Sequence, residues 1–261
     1  LDAVLEWTAL DYVDIDVDGA ITIAAGGTLD ASSARLSCAG NFVNDNVFTP
    51  TDGIVVFDGT STVSGSGTTT FNDLTVTSTG SASMSVGVTV DGVLAVDDGS
   101  TFDVAASQTV VLNSSSALDG VFQLNPNATF TLANAVSLAL SGSSSFNATS
   151  TAGNEIVFNC SAGTYDMAIA GDVNADYVQF EDLTASGLTL SGSGAATVAM
   201  SNINFRMNAG GSGSRHMHIS GTDWDNYSFD GFSFDGSGSL DPEFAVEISS
   251  GGDVTMVSFD T

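Results

Sequence analysis

Lysine is missing from the 261 residues, and arginine occurs only at Arg35, Arg206 and Arg215, against 31 aspartates and glutamates. The formal net charge is −28. Nucleic acid needs clustered cations against its phosphates, and three scattered guanidinium groups cannot build such a groove, so it is excluded as a partner. An anionic membrane surface is disfavoured for the same reason. No apolar run approaches the roughly 18 residues of a spanning helix, so membrane insertion is not expected. Cysteine appears twice, as Cys38 and Cys160, too few for a disulfide scaffold and silent on the redox compartment. Proline appears three times, at Pro50, Pro126 and Pro242, which leaves extended backbone with its amide donors over long distances. The chain opens at Leu1 rather than Met, which leads us to expect a processed or excised start with any signal peptide already removed.

What is present is apolar enough for a large core, at 43% hydrophobic residues, in one long domain or two smaller ones. The apolar residues come in pairs two apart: Phe102/Val104, Val110/Leu112, Phe122/Leu124, Phe130/Leu132 and Leu138/Leu140. Period two marks a half-buried strand. The pairs start 8 or 12 residues apart, too close for intervening helices, so a doubly wound sheet and a helical bundle both fail. Turn residues punctuate the intervals, as at Asp58-Gly59, Asp91-Gly92, Asp98-Gly99, Asp119-Gly120 and Asp235-Gly236.

Stacked antiparallel sandwiches and solenoids both accept many short strands. Segment likeness favours the solenoid. Thr70-Phe71-Asn72-Asp73-Leu74-Thr75-Val76 and Val178-Gln179-Phe180-Glu181-Asp182-Leu183-Thr184 each place an aromatic three residues before a leucine followed by threonine, without two-residue hairpins.

The stretch from Cys38 to Val76 resembles the repeats of very large bacterial surface proteins. It carries Gly40-Asn41-Phe42-Val43-Asn44, then Phe48-Thr49-Pro50, then Val55-Val56-Phe57-Asp58-Gly59, then Thr70-Phe71-Asn72-Asp73-Leu74-Thr75. The match is clearest over about residues 36–100 and looser to about 205. The resemblance implies an all-β fold, a right-handed parallel β-helix, on a cell surface, in adhesin-like or structural proteins. It carries over no catalytic residue.

Coils of roughly 20 residues would place about nine between residues 20 and 205, a rod of roughly 40–45 Å at about 4.8 Å per strand. We divide the chain into residues 1–19, an N-terminal cap or docking arm; 20–205, the solenoid; and 206–261, an aromatic-rich terminal coil, cap or subunit joint. Leu1, Val4, Leu5 and Trp7 fit a short amphipathic helix covering the open end of the stack, or an arm for a neighbouring chain. Trp224, Tyr227, Phe229, Phe232, Phe234 and Phe244 crowd the last part, either filling an irregular core or forming an interface.

Chemistry-bearing patterns are few. Asp14-Ile15-Asp16-Val17-Asp18-Gly19 matches the first half of a calcium loop, making Asp14, Asp16 and Asp18 the candidate metal ligands and calcium the one candidate cofactor. The second half fails, because the twelfth position is Ala25. Strand alternation would instead turn all three carboxylates to solvent. His216 and His218 are two apart, so a strand would put them on one face, a weak transition-metal pattern or an exposed polar strand beside Arg215. Five glycosylation-type sequons begin at Asn113, Asn127, Asn147, Asn159 and Asn226, several of which chance supplies in so polar a chain.

β-Helical enzymes that cleave acidic polysaccharides need cations for the substrate carboxylate and for developing negative charge, which this chain nearly lacks. Asp97-Asp98 is a paired-acid candidate for a glycosidase, but Gly99 marks an ordinary turn there. We therefore expect no enzyme. The expectation is a secreted structural protein, a self-assembling subunit of a surface filament, sheath or layer, joined end to end to identical subunits. The alternatives are an adhesive stalk binding glycans or cells and, behind it, a polysaccharide-degrading enzyme. Cys38 and Cys160, 122 residues or roughly six coils apart, should lie about 29 Å from each other as two free thiols.

Overall fold

The computed structural model describes residues 14–77, 80–192, 196–206, 211–220, 227–235, 242–248, 255–256 and 259–260. They hold 33 strands and no helix. Strands three apart in sequence pair with each other, in parallel, so the chain winds as a β-solenoid. Sheet I, starting at Asp14–Val17, and sheet II, starting at Ile21–Ile23, each have 11 strands, and sheet III, starting at Thr69–Phe71, has 9. Two short strands, Thr28–Asp30 and Val47–Thr49, pair separately as the third side of the first two rungs. The rungs therefore number 11, a stack of roughly 48 Å at about 4.8 Å per strand. No helix among the described residues is long and apolar enough to cross a membrane.

The period-two pairs explain why the coils close. Phe102 and Val104, Val110 and Leu112, Phe122 and Leu124, and Phe130 and Leu132 are wholly buried, while the residues between them face out. Each pair sits in register on that of the next rung, as Phe102 on Phe122 and Val104 on Leu124. Parallel in-register stacking turns alternation along a strand into vertical ladders through the interior. In sheet III one ladder runs Thr69, Val88, Val110, Phe130, Phe158, Phe180, Phe205, Phe234.

The first strand of sheet I, Asp14–Val17, already pairs with Arg35–Cys38, and Ile15 and Val17 pack against the core. Residues 1–13, where we expected a helix or arm, lie outside the described residues. At the other end, Phe229 and Phe232 are buried and Phe234 packs on the core, extending ladders from Met200 and Phe205. For these three aromatics the core reading holds. Trp224 lies outside the described residues, as do the side chains of Tyr227 and Phe244.

Coil length is uneven. Strands of sheet I begin at Arg35 and Ile54, 19 residues apart, but at Ser137 and Tyr165, 28 apart. Cys38 and Cys160 are both free, and they sit five rungs apart rather than six because of that longer coil. Cys38 is wholly buried, and burial pushes its thiol above the ordinary range.

Candidate functional surface

With so few cations available, several outward carboxylates are met by neutral donors on the adjacent rung. Asp103 accepts from the Ser83 hydroxyl and the Asn125 amide, each at 2.7 Å. Asp91 accepts from the Asn113 amide at 2.7 Å, and Asp73 and Asp172 accept from the backbone N–H groups of Val93 and Thr197 at 2.7 Å. Charge-assisted hydrogen bonds of this kind hold an anion without an ion pair. Two arginines do form ion pairs across rungs, Arg206 with Glu181 at 3.3 Å and Arg215 with Glu247.

The residues singled out by sequence fall apart spatially. Asp14, Asp16 and Asp18 all lie on the exposed side of one strand and its exit, with Asp14 beside Arg35 and Asp16 beside Ser37. Among the described residues no group of three or more His, Cys, Asp or Glu side chains converges as a metal site. Asp97 and Asp98 are neighbours in an exposed turn.

His216 and His218 do not share an environment, contrary to simple alternation. Sheet I is irregular here, with the register shifting between Gly211 and Arg215. His216 is buried, its ring 5.8 Å from that of Phe205 and 5.1 Å from that of Phe234. His218 sits in the outward row between Thr189 and Glu247, where partial burial and then the Arg215 charge lower its pKa. Among the described residues Tyr165 is the largest wholly buried side chain, and its hydroxyl has no hydrogen-bond partner. Desolvation, then Asp182, pushes that phenol well above its ordinary value.

An open cleft of about 430 Å³ lies on the outer face of sheet III, lined by Glu155, Tyr177, Gln179, Asn202, Asn204, Arg206, Gly231 and Ser233. Its floor is the outward row Gln179, Asn204, Ser233, each one rung above the last. One wall is the corner between sheets II and III, where rungs 8, 9 and 10 each turn through a single left-handed residue. These are Tyr177 at φ 54°, Asn202 at φ 51° and Gly231 at φ 62°. Asp176 staples this corner, accepting from the Ser201 hydroxyl at 2.7 Å and the Asn202 amide at 2.8 Å. Glu155 stands at one end, its carboxylate accepting from the Gly153 N–H at 2.8 Å, which lowers its pKa. Arg206, held by Glu181, closes the opposite side. The Asn204 side-chain oxygen is buried with no hydrogen-bond partner among the described residues.

Sequence reasoning missed this cleft. Its residues are spread from 155 to 233, and only the rung register brings them together. The one local sign was the unexplained tyrosine at a corner that asparagine and glycine occupy in the next two rungs. Comparison with protein-family models, curated proteins and solved structures gave no match to the chain.

Proposed function

We propose that the chain is a non-catalytic structural unit of an extracellular assembly, a secreted filament, sheath or surface layer in which identical subunits join end to end. The observation that supports this most is the continuous parallel stacking: among the described residues sheets I and II carry a strand in each of 11 rungs. A rod so bonded is stiff along its axis, because bending it stretches rows of backbone hydrogen bonds together. An uncovered terminal rung of such a stack carries strand edges and interior ladders of the kind a copy of the same rung would match. The neutral rung-to-rung contacts of Asp91 and Asp103 stiffen the outer surface without cations. The net charge of −28 would keep subunits apart in dilute solution, and saline surroundings would screen it. The likeness of Gly40–Thr75 to repeats of bacterial surface proteins supports the same compartment.

Electron microscopy of the purified chain, dialysed from low to high salt, tests the reading. Polymers with an axial repeat of roughly 50 Å are expected, one stack of rungs per subunit. Isolated single rods at every salt and protein concentration would overturn it.

A further inference from the structure

The corner formed by Tyr177, Asn202 and Gly231 asks the same backbone conformation of three residue types that differ in what it costs them. Glycine adopts positive φ freely and asparagine readily, whereas a bulky aromatic there is an outlier. Tyr177 has φ 54° all the same, and its side chain is half-exposed at the cleft wall. Folding alone favours asparagine or glycine at this position. The ring is thus explained by what it meets at the surface, since the interior ladder is filled by Val178 and Phe180.

The rest of the lining narrows the ligand class. Gln179 and Asn202 each already donate one amide N–H, to Glu181 and Asp176, which leaves the second N–H and the side-chain oxygen of each to offer beside the Asn204 amide, the donor-and-acceptor combination that vicinal hydroxyls require. An anionic ligand is opposed by Glu155 at the rim and by a net charge of −28, while Arg206 is shared with Glu181. A cation lacks a convergent ligand set among the described residues. An apolar ligand would leave the amides unpaired. The cleft spans three rungs, two spacings or roughly 10 Å along the axis, about the length of a disaccharide.

We infer that this cleft is a binding subsite for a neutral linear oligosaccharide, with one sugar ring resting on Tyr177 and its hydroxyls bonded to Gln179, Asn202 and Asn204. The inference stands apart from end-to-end assembly, since the cleft lies on the flank of the rod.

Calorimetric titration of the full chain with cellohexaose, mannohexaose and xylohexaose, and with hexagalacturonate as the anionic control, tests it. At least one neutral hexasaccharide should bind, and hexagalacturonate should not. Tyr177→Asn should melt at or above the temperature of the parent chain, because asparagine suits the corner, yet lose affinity by about tenfold or more. No binding of any neutral hexasaccharide at millimolar concentration, binding confined to hexagalacturonate, or full affinity in Tyr177→Asn would each overturn the assignment. Loss of filaments in this variant would not bear on it, because binding is read on dispersed chains.

Discussion

Phe158 lies nearly flat on Phe180, with ring centroids 5.3 Å apart and planes 22° from parallel. Phe180 lies in turn on Phe205 at 5.5 Å and 20°, and Phe205 on Phe234 at 5.6 Å and 10°. This column arises from strand register alone: parallel pairing repeats one inward position on every rung, and the sequence supplies phenylalanine there five times from Phe130 onward. Offset stacking adds about 0.5–1.5 kcal/mol per pair to the area each ring buries.

Phe180→Ala should therefore be among the most damaging single changes. It removes a wholly buried ring and the surfaces on which two others rest. The expected loss is about 3–5 kcal/mol in urea unfolding, against roughly 1.5 kcal/mol for Phe180→Leu. Because each rung leans only on its neighbours, the alanine variant should also unfold in two steps rather than one. A midpoint unchanged from the parent chain would mean that the ladder contributes nothing to stability.

A second, tighter constraint operates at the corner between sheets I and II. The residue entering sheet II is Gly59, Gly80, Ser100, Gly120, Ser144 and Gly171 on six successive rungs, in register. A Cβ on Gly171 would fall 2.0 Å from the Ser144 carbonyl oxygen, which the stacked backbone cannot withdraw. Gly171→Ala should cost about 1–3 kcal/mol through overpacking. At Gly142, by contrast, an added Cβ meets nothing within 4 Å, and Gly142→Ala should be neutral or stabilise by about 0.4–1 kcal/mol. Thermal unfolding of the two variants side by side checks the contrast. Equal effects would show that the corner is free to relax.

Much of this architecture was legible because a solenoid writes its interior into a period of two. Phe102, Phe122 and Phe130 were recognisable as inward-facing from their partners two residues on, and the nine coils estimated for residues 20–205 match rungs 1 to 9, which end at Arg206. Register was harder. Phe71 and Phe180, which look equivalent in sequence, both lead into the corner before sheet I, but Phe71 stacks under Val90 whereas Phe180 belongs to the ladder that begins at Thr69. The difference is absorbed beyond the corner, where Tyr165 pairs with Leu183 but Met167 pairs with Leu188. A bulge of that kind leaves no mark on the alternation of either flank. The same kind of irregularity, one rung on, buried His216 where alternation put it beside His218. The cleft around Tyr177 was beyond reach for a related reason, as its lining depends on which residues three coils bring level with one another.

Asp14, Asp16 and Asp18 pose a question of charge rather than coordination. On one face of a strand, successive carboxylates stand about 7 Å apart, too far to share one ion within a calcium coordination distance of about 2.5 Å, yet close enough to repel. Relief should then come from any screening ion, and it should add to the general benefit of salt for a chain of net charge −28. Calcium and magnesium at equal ionic strength should raise the melting temperature by equal amounts. Asp16→Asn should raise it slightly in dilute buffer, on the order of 0.5 kcal/mol, and weaken its dependence on salt. A rise with calcium several degrees beyond that with magnesium, lost in Asp16→Asn, would instead establish a specific calcium site on this strand.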